Sequence, residues 1–176
     1  MGHKPVLDGM YQDGVQCPIA DQLMGRTAET LAEDFLISRA EQDQYAARSQ
    51  NRAEAARKAG YFKAEIAPIT LPGKKGPVTL DPMILDYDEH VRDGVTTESL
   101  AKLPTVFKDN GTVHAGNSSG VTDGAAALLV LSEQAANRLG VRPMGRLIAD
   151  SVGGVDPKRM GIGPVPAVRE VLGRAG

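Results

Sequence analysis

Tryptophan is missing altogether, cysteine occurs once, and aromatic residues make up only 4% of the 176 residues. A core without large rings must rest on aliphatic side chains and alanine. A single cysteine excludes an intrachain disulfide and fits a reducing compartment, so a cytoplasmic location is expected. No apolar run approaches the ~18 residues of a membrane span, and the opening MGHKPVLDGM has no apolar h-region of a signal peptide. An excess of one charge is missing too. Lys and Arg number 20 against 22 Asp and Glu, a net charge of −2. That balance gives no electrostatic reason to expect nucleic acid or a membrane as partner.

Glycine (20) and proline (11) are plentiful. They shape many turns, and the stretch that organises the chain is GTVHAGNSSGVTDGAAALLVLS over residues 111–132. It opens on small and turn-forming residues and ends in an apolar run over 125–131. Such a loop brings backbone close to a ligand and presents N–H groups and hydroxyls. The alternative is a loop that simply needs tight turns.

Elsewhere the pattern reads as α/β. Thr27 is placed to cap a short helix, TAETLAEDFL. Ser38 and Glu41 form a capping box for a helix over 39–59, with Ala40, Tyr45, Ala46, Ser49, Ala53 and Ala56 on its inner face and Gly60 as its stop. Gln42, Asp43, Arg48, Arg52, Glu54 and Lys58 read as the solvated face. Residues 64–71 read as a strand with Pro68 marking an edge or bend, PGKKGP as a turn, and Val78 and Leu80 as a return strand. Thr96 or Thr97 caps a brief helix that Pro104 ends. Residues 125–131 read as a buried strand and 145–152 as another, around a helix capped by Ser132 and stopped by Gly140, giving a parallel βαβ unit. A last helix spans about 165–174, with Val168, Val171 and Leu172 inward.

Lone reactive groups carry little. Cys17 has no obvious helix N-terminus or basic neighbour to lower its pKa, so a nucleophilic role is disfavoured. The acidic run 81–93 could hold a cation, but its spacing is not that of an EF-hand and a solvated loop explains it better. His90, inside that run, reads as a surface histidine.

The residues themselves resemble the thiolase family. GTVHAGNSSGVTDGAAA is similar to the family segment GTVTAGNASGINDGAAA. Further resemblance runs in register through MGRTAE, SRAEQDQYAARSQNRA and FKAEIAPI. It continues through DEHVRDGVTTESLAKLPTVF and DPKRMGIGPVPAVREVL. It covers essentially the whole chain and implies a partial thiolase fold. Residues 1–118 would form the loop domain, and 119–176 the last βα units of the N-terminal core.

The resemblance implies an acyl-CoA C-acyltransferase, with coenzyme A or acyl-CoA as substrate, no permanently bound cofactor, and a homo-oligomer, dimer or tetramer. Arg92 would lie near the nucleotide end of coenzyme A. Ser99 and Ser119 would contact its nucleotide and pantetheine portions, and Leu103, Phe107 and Ala115 would line the pantetheine arm. Met24 would face the acyl pocket. Leu23 stands where the family often has histidine. The family's nucleophilic cysteine lies upstream of the matched region, and its NEAF, GGHP-type and CxGGG motifs downstream; none occurs here. A fragment without turnover of its own is therefore expected. The alternative is a non-catalytic coenzyme A-binding or oligomerisation module.

Overall fold

The structure, a computed structural model, describes residues 5–73 and 83–176. Its packing divides the chain into two compact units, Met1–Leu36 with Val121–Gly176, and Ile37–Gly120. The division after residue 120 lies close to the sequence boundary at 118, while residues 1–36 group with the C-terminal segment.

The first unit begins with a π-helical turn, Met10–Val15, and a minimal hairpin. Strand β1 (Gln16–Cys17) pairs antiparallel with β2 (Gln22–Leu23). Helix α1 (Met24–Asp34) follows directly. It starts before Thr27, so Thr27 is no cap. Its hydroxyl donates instead to the Met24 carbonyl at 2.6 Å, and the side chain is buried inside the first turn. A 3₁₀ segment, Pro157–Ile162, packs on α1. Gly161 allows this approach: a Cβ there would stand 2.7 Å from Leu31 Cδ1. The Arg159 Nε–Asp34 ion pair at 2.5 Å fastens the same contact.

Helix α4 (Glu133–Leu139) forms as its end signals require. Ser132 Oγ accepts the Ala135 N–H at 3.2 Å, and Gly140 adopts φ 64 at the stop. Helix α5 (Pro164–Ala175) closes the chain, with Pro at its first turn. Two sequence expectations fail here. Residues 125–131 and 145–152 are not strands, and they are not buried. Leu128 is 87% exposed, and Leu129, Val130, Leu147, Ile148 and Val152 are exposed as well. Their composition suits a sheet interior, but a strand needs a ladder partner. Among the described residues they have none. Val168 and Leu172 of α5 are likewise exposed rather than inward.

The second unit is built on α2 (Arg39–Lys58). Its capping box forms as expected: Ser38 N–H donates to Glu41 Oε2 at 2.8 Å, and Ser38 Oγ accepts the Glu41 N–H. Gly60 takes φ 76 just beyond its end. The expected inner face holds only in part, with Ala46, Ala53 and Ala56 half-buried but Ala40 and Ser49 exposed. Tyr45 is 66% exposed, whereas Asp43 and Ala47 are the buried residues of this helix. Strands β3 (Ile69–Leu71) and β4 (Met83–Leu85) pair antiparallel, Ile69 opposite Leu85. Strand β3 starts immediately after Pro68, and its partner β4 lies within the run read as a solvated acidic loop; the expected return strand at Val78 and Leu80 lies outside the described residues. Helix α3 (Thr97–Ala101) is capped by Thr96, whose Oγ1 accepts the Ser99 N–H at 3.2 Å. It packs on α2. No described helix is long and apolar enough to cross a membrane.

Candidate functional site

The site grows from the way the second unit satisfies its polar groups. Residue 114 sits where the loop turns back after Val106 N–H bonds the Val113 carbonyl at 3.1 Å. Residues 105 and 114 form an isolated antiparallel bridge. The His114 side chain is fully buried. Its Nε2 lies 2.6 Å from Asp43 Oδ1. Its Nδ1 accepts the Gly116 N–H at 3.0 Å. Arg39 grips the same carboxylate, with Nε 3.0 and 2.9 Å from the two oxygens. The Arg39 Nη2 then donates to the carbonyls of Leu100 at 2.7 Å and Leu103 at 3.0 Å, caring for the end of α3. A buried carboxylate is tolerated because both of its oxygens have a donor, Oδ1 facing His114 Nε2 and the two oxygens sharing the Arg39 Nε–H.

A second set of bonds runs alongside. Asn117 Oδ1 accepts the His114 N–H at 2.8 Å, and Asn117 Nδ2 donates to Gln42 Oε1 and to the Thr112 carbonyl, each at 3.0 Å. Gln42 Nε2 donates to Thr112 Oγ1 at 2.8 Å. Helix α2 therefore holds the 112–117 loop through two consecutive residues, Gln42 and Asp43. Gly116 makes room for this packing: a Cβ would stand 2.6 Å from Leu100 Cδ2 and 2.7 Å from Leu103 Cδ1, so those side chains would have to shift. An open groove of about 530 Å³ runs beside the loop, lined by Glu41, Tyr45, Ser49 and Gln50 of α2 and by 116–118 of the loop, among others. None of the residues expected to contact coenzyme A lines it.

Those expected residues fall into two groups. Leu103 packs against Gly116, so the backbone beside Ala115 and the Leu103 side chain are brought together. Ala115 and Ser119 are exposed on the loop, and Phe107 is half-buried. Arg92 is exposed, and its backbone N–H is held by Gln50 Oε1 at 3.0 Å. The turn after it is fastened to α2 as well. Gly94 N–H donates to Glu54 Oε2 at 2.9 Å, and Arg57 pairs with Asp93 at 2.5 Å. The acidic run therefore supplies an anchor to a helix. Among the described residues, no group of His, Cys, Asp and Glu is arranged to hold a metal ion. Ser99 already serves the capping box, its hydroxyl donating to the Thr96 carbonyl at 2.7 Å. Met24 belongs to the other unit, at the start of α1.

Two features escape sequence reasoning. Asp43 was assigned to the solvated face and is buried; no period argument finds a buried carboxylate, because it counts as polar. His114 carried a signal: the chain reads GTVHAGN where the resembling segment has GTVTAGN. His90 is exposed, as its reading as a surface histidine expects. Its ring lies over Gly120, where a Cβ would meet His90 Cε1 at 2.5 Å.

Comparison with known proteins agrees with this architecture. Residues 1–134 match the family model described as the thiolase N-terminal domain. The chain belongs to the thiolase family. Over all 176 residues it is 48% identical to an acetyl-CoA acetyltransferase of Shinella zoogloeoides, covering 44% of that relative. The crystal structure of human mitochondrial 3-ketoacyl-CoA thiolase superposes with a TM-score of 0.88 at 43% identity, over 100% of this chain and 43% of that one. The same human enzyme in complex with CoA gives 0.81 at 44% identity, over 92% and 39%. The chain thus spans less than half the length of the relatives it matches. The thiolase-like α/β fold expected from the sequence is present, in part.

Proposed function

We propose that this chain is the coenzyme A-facing portion of a thiolase-type acyl-CoA C-acyltransferase. The observation that carries the reading is whole-chain similarity, at 48% identity, to an acetyl-CoA acetyltransferase. The human thiolase solved with CoA supports the ligand class. The complete enzyme would move an acyl group between coenzyme A thioesters through a cysteinyl thioester, in the direction of thiolysis or condensation. Within this chain the work is binding. Arg92 offers a guanidinium to a phosphate or an adenine face. Ser119 offers a hydroxyl to an amide. Leu103, Phe107 and Ala115 offer apolar surface to the pantetheine arm, and Met24 faces the acyl group. Ser99 contributes with the acceptor capacity its capping bonds leave. Cys17, in β1 with its sulfur 3.4 Å from the Ala20 N–H, has no assigned nucleophilic role.

We assign residues 1–118 to the loop domain and 119–176 to the core βα units, in a cytoplasmic homo-oligomer. The test is an NMR titration of the 176-residue chain with coenzyme A. The expected result is weak binding, of millimolar order or about −4 kcal/mol, with shifts concentrated at residues 92, 103, 115 and 119. An Arg92→Ala chain should bind several-fold more weakly. Shifts confined to other residues, or none at saturating ligand, would overturn the assignment.

A further inference from the structure

Asp43, Arg39 and His114 stand outside the set assigned to coenzyme A, yet they converge on the chain segments that carry it. Arg39 holds the carbonyl of Leu103 itself, at 3.0 Å. His114 is the neighbour of Ala115, and its ring is bonded to the Gly116 N–H. Ser119 follows on the same loop. These contacts impose a particular protonation pattern. A neutral imidazole has one donor and one acceptor nitrogen. The Gly116 amide can only donate, so Nδ1 must be bare. The proton then sits on Nε2, facing Asp43 Oδ1 at 2.6 Å. An imidazolium would set an Nδ1–H against the Gly116 N–H, and the other tautomer would set a lone pair against the carboxylate. Asp43 is itself held by Arg39 through both oxygens. The loop backbone lies on the ring, since a Cβ at 116 would stand 3.0 Å from His114 Cε1.

We propose that His114 is a positioning residue for the ligand-facing loop: Asp43 holds its Nε2 proton, and the bare Nδ1 that results fixes the backbone between Ala115 and Ser119. Rests on the ligand reading: only the link from this backbone to coenzyme A, which assumes the assignment of Ala115 and Ser119 above. The arrangement is peculiar to a histidine at this position. A threonine, as in the resembling family segment, cannot span from Asp43 to the Gly116 amide with a ring nitrogen at each end. The histidine therefore couples the loop to α2 through a defined tautomer, and through α2 to the end of α3.

Two substitutions separate this role from mere filling of space. Asparagine can place an oxygen near the Nδ1 position, and glutamine can place an amide near the Nε2 position. In the wild-type chain, long-range proton–nitrogen NMR should show His114 protonated on Nε2 and bare on Nδ1. Hydrogen exchange at the Gly116 amide is then read against the Ala59 amide, which caps the end of α2 by donating to the Ala55 carbonyl at 2.9 Å, as internal reference. His114→Gln should speed Gly116 exchange by roughly tenfold relative to His114→Asn, the size expected for losing one buried hydrogen bond. Coenzyme A binding should fall several-fold in His114→Gln and stay near wild type in His114→Asn. A proton on Nδ1, or equal Gly116 exchange in the two variants, would overturn the proposal. So would wild-type binding with equal affinities in both variants. A wild-type chain that gives no shifts with coenzyme A would remove the ligand reading, while the tautomer and the exchange ratio still decide what His114 does.

Discussion

The two units treat the same shortage of large apolar side chains in opposite ways. Among the described residues, Ile37–Gly120 has few buried hydrophobic ones, Ala47, Leu100 and Val113, and adds to them the buried polar pair Asp43 and His114, held by the half-buried Arg39. The other unit buries Ala20, Ala32 and Ala136 with the polar Thr27 and Glu29, and leaves its most apolar stretches, 125–131 and 145–152, largely exposed and outside helix or strand. One region closes on itself through hydrogen bonds that need particular partners. The other carries strand-like sequence whose backbone groups have no ladder among the described residues. Apolar composition marks burial only where a partner surface exists, whereas a satisfied polar network specifies its own neighbours.

Breaking the network should have the largest effect. Asp43→Ala leaves the Nε2–H of a fully buried His114 without its acceptor and strips Arg39 of its carboxylate. A loss of about 3 kcal/mol is expected in urea unfolding. Little or no loss would mean that the network is dispensable to this unit. Gly116→Ala comes next. Its methyl would press on Leu100, which is buried, and on Leu103. The expected cost is roughly 1–2 kcal/mol, measured by the same unfolding, together with weaker coenzyme A shifts at the loop.

In the other unit, a charge placed among the exposed apolar residues should do almost nothing to stability. Leu128→Lys is expected to change the unfolding free energy by less than about 0.5 kcal/mol. It should also reduce self-association, read by light scattering. A large stability loss would show that 125–131 is buried in solution and would erase the contrast. The smallest effect concerns the start of α2. The side-chain and backbone hydrogen bonds from Ser38 hold the Glu41 carboxyl below its usual range. A folded-state pKa lowered in this way contributes stability above the unfolded value, near pH 4.5, that fades as pH falls through the folded one. Glu41→Gln should therefore remove a small part of the acid sensitivity of unfolding below about pH 4.5. An unchanged acid limb would discount the capping box as its source.

Helix ends were the most legible part of the fold. Ser38 with Glu41, Gly60, Thr96, Ser132 and Gly140 all sit at the ends their chemistry predicts. Capping is a bond between near neighbours, so a short window of sequence contains both partners. Thr27 fails for the same local reason, its hydroxyl turning back to the Met24 carbonyl within the helix. Strands were the least legible, because 125–131 and 145–152 declare only that they suit a sheet. The thiolase family is legible in GTVHAGNSSGVTDGAAA and the segments around it, because these residues are kept in register along the whole chain.

What the residues decide alone is therefore local and historical: caps, turns, the α/β pattern and the family. Tertiary structure decides which polar residues are buried. Asp43 and His114 are separated by most of the second unit in sequence, and their bond exists only because α2 and the 112–117 loop are folded together. A carboxylate reads as surface until a distant histidine and a neighbouring arginine satisfy it, because the free energy of burying a charge depends on partners that no local pattern contains.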